Sequence, residues 1–175
     1  VDVGGTPSSN TGPMVDNTLQ NSSGNYLYIE ASSPCYPSKE AILLSQCVDL
    51  DVMINPFMEF AYHMHGADMG DLYVEIESGG VWTTLFSLIG QQQVVQTDPW
   101  LIGDVDLSAY SGVVKVRFRG VTGVGWSSDM ALDDISIYDK VPNDVGITGL
   151  INPTTNCNLD SNESIIIEVV NFGTI

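Results

Sequence analysis

Three stretches of this chain alternate apolar and polar residues with a period of two. In Phe57–Met64, Met58, Phe60, Tyr62 and Met64 share one parity, and Glu59, Ala61 and His63 the other. Leu72, Val74 and Ile76 alternate with Tyr73, Glu75 and Glu77, and Val114, Val116 and Phe118 with Lys115, Arg117 and Arg119. A period of two is the geometry of a strand with one buried face. Helical spacing is nearly absent, and the 17 glycines and 8 prolines punctuate the chain at short intervals. Further strands are expected at Tyr26–Ala31, Ala41–Leu44, Trp82–Ile89, Gly103–Leu107 and Ala131–Tyr138. Many short strands separated by turn signals predict an all-β antiparallel sandwich. Hydrophobic residues make up 43% of the chain, enough to fill its core.

Charge narrows the choice of partner. Five Lys and Arg against 22 Asp and Glu give a formal charge of −17. Such a surface repels nucleic-acid phosphates and anionic lipid, and it suits hard cations such as Ca²⁺. No run approaches the ~18 apolar residues of a membrane-spanning helix, so no membrane insertion is expected. No secretory leader opens the sequence, which places any such leader upstream or already removed.

The pattern divides the chain. Residues 1–139 read as one sandwich, 140–144 as a linker around Pro142, and 145–175 as the start of a second β-domain, cut short. In the latter, Val145–Leu150 is apolar, and Ile165, Ile167 and Val169 share one strand face. Val1–Thr18 reads as a long loop, since it holds little but Gly, Ser, Pro, Asn and Thr.

Several motifs resemble the MAM domain, an extracellular module named after meprin, A5 antigen and receptor phosphatase mu. Gly24-Asn25-Tyr26-Leu27-Tyr28-Ile29-Glu30 is similar to its early strand. Phe60-Ala61-Tyr62-His63-Met64-His65-Gly66 and Met69-Gly70-Asp71-Leu72-Tyr73-Val74 are similar to its central motifs. Val81-Trp82 and Pro99-Trp100 fall where its tryptophans recur. Gly120-Val121-Thr122-Gly123 and Asp129-Met130-Ala131-Leu132-Asp133-Asp134-Ile135 resemble its closing motifs. Nothing matches the family's opening Phe-Glu strand. The resemblance implies a jelly-roll sandwich and a role in adhesion. The N-terminal loop resembles that of bacterial members, and the segment after Asn143 resembles the Ig-like repeats that follow such domains in bacterial surface proteins.

Strand parity groups Asp133 with Ile135 and Ile137, pointing Asp133 to the core side and Asp134 outward. An inward carboxylate must be paired, hydrogen-bonded or metal-bound. The expected structural cation, Ca²⁺ or another hard ion, is assigned to Asp16, Glu30, Asp133 and Asp134. The resemblance supports that assignment, because such jelly rolls hold a cation between the N-terminal region and the closing acidic strand. The competing reading is that Asp133 caps loop amides without metal.

His63 and His65 share a strand face but lack further ligands for zinc, so a surface or packing role is favoured. Cys35 and Cys47 are expected to form a disulfide closing a small loop, with a pair of free buried thiols as the alternative. Cys157 pairs outside the chain or stays single. Trp126, in a Gly-rich loop, is the candidate ligand-binding aromatic, whereas Trp82 and Trp100 are expected to pack. No serine-hydrolase elbow, zinc-protease helix or catalytic Cys-His signature occurs. The expected function is therefore a non-catalytic, cation-stabilised adhesion module of a secreted or cell-surface bacterial protein. It would contact a protein partner or a copy of itself. The alternatives are an accessory substrate-binding domain of a secreted hydrolase or peptidase, and a glycan-binding module.

Overall fold

The computed structural model describes residues 1, 3–140, 145–154, 162 and 164–173. The chain separates into two compact units, Val1–Tyr138 and Asp139–Ile175.

In the first unit the strands are β1 (Leu27–Ile29), β2 (Glu40–Leu44), β3 (Val48–Asp49), β4 (Pro56–His63), β5 (Asp71–Ser78), β6 (Val81–Ile89), β7 (Leu101–Asp106), β8 (Val113–Val121) and β9 (Met130–Asp139). Two antiparallel sheets result. One has the order β1-β9-β4-β7, and the other β2-β8-β5-β6 with β3 also on β8. This is the all-β sandwich expected from the alternation, with the mixed strand order of a jelly roll. A single 3-10 turn at Leu50–Val52, capped by the Asp49 side chain, was not anticipated. No helix among the described residues is long and apolar enough to cross a membrane.

The core lies between the sheets. Met58, Phe60 and Tyr62 of β4 meet Leu72, Val74 and Ile76 of β5 and Val114, Val116 and Phe118 of β8. Phe60 is at its centre, edge-on to Phe86 and Phe118 with centroids 5.8 and 4.9 Å away. Gly103 pairs with Phe60 across β4 and β7, and a Cβ there would lie 2.3 Å from the Phe60 ring. The glycine thus makes room for the Phe60 ring at the centre of the core.

One expectation from parity fails. Ala61 and His63, on the supposedly polar face of β4, are as buried as Phe60. The N-terminal 25 residues explain this. They pack over β4 and β9, so that Gly12 N donates to His65 O at 2.9 Å and Trp100 Nε1 to Val15 O at 2.9 Å.

The second unit contains β10 (Val145–Asn152) and β11 (Ile166–Asn171), paired antiparallel with irregular register. Its apolar side chains are largely exposed. Cys157 and residues 141–144 of the expected linker lie outside the described residues.

Phe60→Ala should cost about 4 kcal/mol of unfolding free energy, in the range for emptying a buried aromatic site. Urea denaturation of the 1–139 sandwich measures it. A loss below ~1 kcal/mol would contradict this central packing.

Candidate functional site

The acidic groups expected to bind a cation do something more local in most cases. Asp16 is buried, and its two oxygens accept from Leu19 N at 2.7 Å and Asn21 N at 3.2 Å. It folds the loop back on itself. Asp133 accepts from Asn17 N at 2.9 Å and from Asp134 N at 2.9 Å. Asp134 accepts from Thr18 Oγ1 at 2.6 Å and Asn17 Nδ2 at 2.8 Å. Asp133 thus caps one amide of the loop and the amide of Asp134, and Asp134 accepts from side-chain donors of the same loop.

The inward orientation expected of Asp133 is corrected. Asp134 has φ +47, a left-handed residue inside β9 that breaks the alternation. Aspartate tolerates this conformation because its short side chain bonds locally. Before the break, Met130, Ala131 and Leu132 are all buried; after it, Asp134, Ile135 and Ser136 are exposed. Asp133 itself is only half-buried.

The inward carboxylate is Asp129, with 0% exposure. Its Oδ1 accepts from Ala31 N at 2.9 Å. Its Oδ2 is buried with no hydrogen-bond partner, and so is Oε2 of Glu30. Glu30 spends its other oxygen on Ser32 N at 3.1 Å, Ser32 Oγ at 2.5 Å and Ser8 Oγ at 3.1 Å. Thr6 lies beside Asp129, but its single hydroxyl hydrogen goes to Thr11 O at 2.6 Å. Thr11 Oγ1 in turn accepts from Asp129 N at 3.0 Å. Two buried carboxylate oxygens are therefore left without a donor, roofed by Thr6–Gly12. Gly12, at φ +64, closes the roof, and a Cβ on it would meet Thr6 at 2.7 Å.

Burial, with the nearby Glu30 charge adding to it, pushes the Asp129 carboxyl up to about 6. Sequence reasoning missed this residue. It precedes the strand, so parity along β9 says nothing about it. The available signal was the motif Asp129-Met130-Ala131-Leu132-Asp133-Asp134-Ile135, in which it comes first.

Of the four expected ligands, only Glu30 belongs to this site. Among the described residues, no three of His, Cys, Asp and Glu are grouped as a metal cluster; any cation here would draw on two carboxylates and on neutral oxygens. His63 is buried edge-on to Trp100, with centroids 5.8 Å apart. Its ring nitrogens make no well-formed hydrogen bond. Burial, and then the neighbouring His65, lowers its pKa to about 4. His65 Nδ1 lies 3.2 Å from Gln93 O. Both histidines are thus packed inside.

Cys35 and Cys47 are exposed free thiols, and the expected disulfide is corrected. The strand between them holds them apart. Ser38 N is pinned to Thr122 O and Ser45 N to Val116 O, and those two anchor points, at the two ends of the β8 stretch that pairs with β2, lie about 20 Å apart. A disulfide needs Cα atoms within about 7 Å. Trp126 is 46% exposed. Trp82 lies under Arg117, whose guanidinium carbon is 4.0 Å from its ring centre.

Two tests follow from this geometry. With Cys157 replaced by Ser, Cys35 and Cys47 should both react with a thiol reagent in the native state; protection of both would restore the disulfide. The second concerns pH in metal-free buffer. Asp129 holds its proton more tightly folded than unfolded, so its contribution to stability falls as pH rises from about 4 to about 6. His63 has the opposite sign, contributing stability that is lost as pH falls from 6.5 towards about 4. Comparing Asp129→Asn with wild type isolates the first effect. The variant should gain stability at pH 7, by at most about 3 kcal/mol, and nothing at pH 4. An equal difference at both pH values would contradict the assignment.

Comparison with known proteins gives a consistent result. The family model described as MAM domain, meprin/A5/mu, matches residues 2–141. The chain is 35% identical over 136 residues to MAM domain-containing protein 2 of Mus musculus, covering 77% of this chain and 18% of that protein. It is 32% identical over 133 residues to MAM domain-containing glycosylphosphatidylinositol anchor protein 1 of Homo sapiens, covering 74% of this chain and 13% of that protein. It is 33% identical over 144 residues to Thyroid hormone-induced protein B of Xenopus laevis, covering 81% and 20%. The chain spans a fifth or less of each of these relatives. They are vertebrate proteins, and the expected bacterial origin finds no support among them. The match ends at residue 141, so the Ig-like expectation for the second unit has no support either. On motifs, fold and family model together, the chain belongs to the MAM domain family.

Proposed function

We propose that residues 1–139 form a non-catalytic interaction module of an extracellular or cell-surface protein, with its N-terminal loop locked by a hard divalent cation. The observation that carries the cation is the two buried oxygens without a hydrogen-bond partner, Glu30 Oε2 and Asp129 Oδ2, on carboxylates whose charges act on each other. An uncompensated buried carboxylate costs several kcal/mol, about as much as would normally force protonation. Carboxylates with neutral oxygens around them are the donor set that Ca²⁺ prefers. Glu30 and Asp129 would hold the ion, with carbonyls of Thr6–Gly12 as neutral ligands. Bound there, the cation would neutralise both carboxylates and fasten the loop to the sandwich.

The extracellular assignment is supported by the family and by the glycosylphosphatidylinositol anchor in the name of one relative, a device of the outer cell surface. The adhesive role follows the same line. Two sheets with loops at both ends make a scaffold for contact. Half-exposed Trp126 supports a glycan-contacting alternative at a loop distant in kind from the acidic site.

Calcium should raise the melting temperature of the wild-type protein by several degrees over an EDTA-treated sample. Glu30→Gln and Asp129→Asn should each lose that increment, while Asp134→Asn should keep it. Equal melting with calcium and with EDTA, in wild type, would remove the cation from the account.

A further inference from the structure

His63 is the last residue of β4 and is 1% exposed, and neither of its ring nitrogens has a hydrogen-bond partner. A buried polar group in that state costs free energy, and native folds rarely keep one without a use. Burial, and then the neighbouring His65, lower its pKa to about 4, so the ring is neutral at physiological pH. A neutral imidazole offers one N–H and one lone pair. The Gln96 and Asp98 carbonyls lie beside the ring, near enough to favour its charged form. Neither makes a well-formed hydrogen bond with it.

The ring is not sealed in. It lines a cleft of about 300 Å³ between the N-terminal loop and the segment that leads into β7. The loop contributes Met14 and Val15, and the segment contributes Asp98, Pro99 and Trp100. Trp100 stands edge-on to His63, 5.8 Å between centroids. Its Nε1 is spent on Val15 O at 2.9 Å, so the indole gives the cleft apolar surface and no donor. Met14 is 48% exposed, at the mouth. Ligand pockets begin at about this size, which suits one side chain better than a cofactor or a sugar chain.

Charge decides which side chain. The lining includes Asp16 and Asp98 and no Lys or Arg. Asp16 is occupied by the amides of its own loop. Asp98 caps Val94 N and Val95 N with Oδ2 alone, at 2.8 and 2.9 Å, which leaves Oδ1 for a ligand. An imidazole lone pair and a carboxylate oxygen are both acceptors, and they call for a ligand with several donors and a positive charge. Arginine carries five N–H donors in a planar fork and sheds water more readily than the lysine ammonium. It is also attracted to an indole. The chain makes that contact internally, with the Arg117 guanidinium carbon 4.0 Å from the centre of the Trp82 ring. Its own two arginines, Arg117 and Arg119, are both clamped on Glu75. The ligand arginine therefore comes from a different protein, and the charge of −17 draws a basic one.

We propose that the cleft beside Trp100 receives an arginine side chain of a basic partner protein, the guanidinium donating to His63 and Asp98 and the methylenes packing on Met14, Pro99 and Trp100. This deepens the interaction-module reading, on which it rests, by naming the chemical group that the partner presents. Titration of N-acetyl-arginine amide into the whole chain in calcium, followed by NMR at the Trp100 indole N–H, tests it. The wild type should bind with a dissociation constant of about a millimolar, ordinary for a single side chain outside its protein. N-acetyl-lysine amide should bind more weakly, and N-acetyl-leucine amide should cause no shift. His63→Phe keeps a ring but no nitrogen, and Asp98→Asn keeps an oxygen for the loop cap but not the charge. Each should weaken binding roughly tenfold, and near-ultraviolet circular dichroism checks that both are folded. Met14→Lys changes only an exposed residue; it sets a like charge at the mouth and should weaken binding as much. Trp126→Ala, on another loop, should bind like the wild type. The absence of any shift with the arginine derivative overturns the proposal. So does a leucine or lysine derivative that binds as tightly, or binding that neither Asp98→Asn nor Met14→Lys impairs. Calcium-dependent melting of the same samples turns on Glu30 and Asp129 and on none of these residues, so the two failures are distinguishable.

Discussion

The whole first unit depends on how a 25-residue segment with no strand or helix is fastened to a sheet. Loops that cover a core carry backbone groups that must be satisfied. Here the satisfaction comes from side chains on both partners. Asp16 organises the loop from within, while Asp133 and Asp134 hold Asn17 and Thr18 from β9. Thr11 bridges His65 O and Asp129 N. Because the loop stays in place, β4 is buried on both faces, and His63 can sit neutral in an apolar setting. Beneath the same loop, Glu30 and Asp129 each keep one buried oxygen without a donor. The site is therefore a consequence of the covering loop.

Much of this was legible in the sequence. Period-two alternation placed β4, β5 and β8 and their core faces, and the motif order identified the family that the family model matches. Cases that were not legible share a cause. Parity describes one strand against one neighbouring layer. It does not register a second layer made of loop, which is why Ala61 and His63 were assigned to the wet face. It also assumes unbroken alternation, and the left-handed Asp134 breaks it. Asp129 fell outside the argument because it stands one residue before β9 begins. The Cys35–Cys47 pairing failed on distance along an extended strand, which sequence separation alone does not convey.

Acidity takes on a different meaning once the charges are located. A charge of −17 reads at first as solubility or as general cation affinity. In the folded chain, several carboxylates cap backbone amides, Asp129 is fully buried, and one, Glu75, is clamped between Arg117 and Arg119. The few cations are gathered on one sheet. The strands of that sheet carry three cations and five carboxylates, a far milder excess than the whole chain's 5 against 22. Adhesion modules must exclude most encounters while permitting one, and an uneven distribution of this kind does both.

The claim at the centre is that the N-terminal loop is held down over a cation shared by Glu30 and Asp129. Hydrogen–deuterium exchange at the amides of Gly12, Leu19 and Asn21, with and without calcium, tests it most directly. The account predicts that calcium slows exchange at Gly12, which roofs the site, far more than at Leu19 and Asn21, which Asp16 caps in either condition. Exchange at Gly12 that is unchanged by calcium would contradict it.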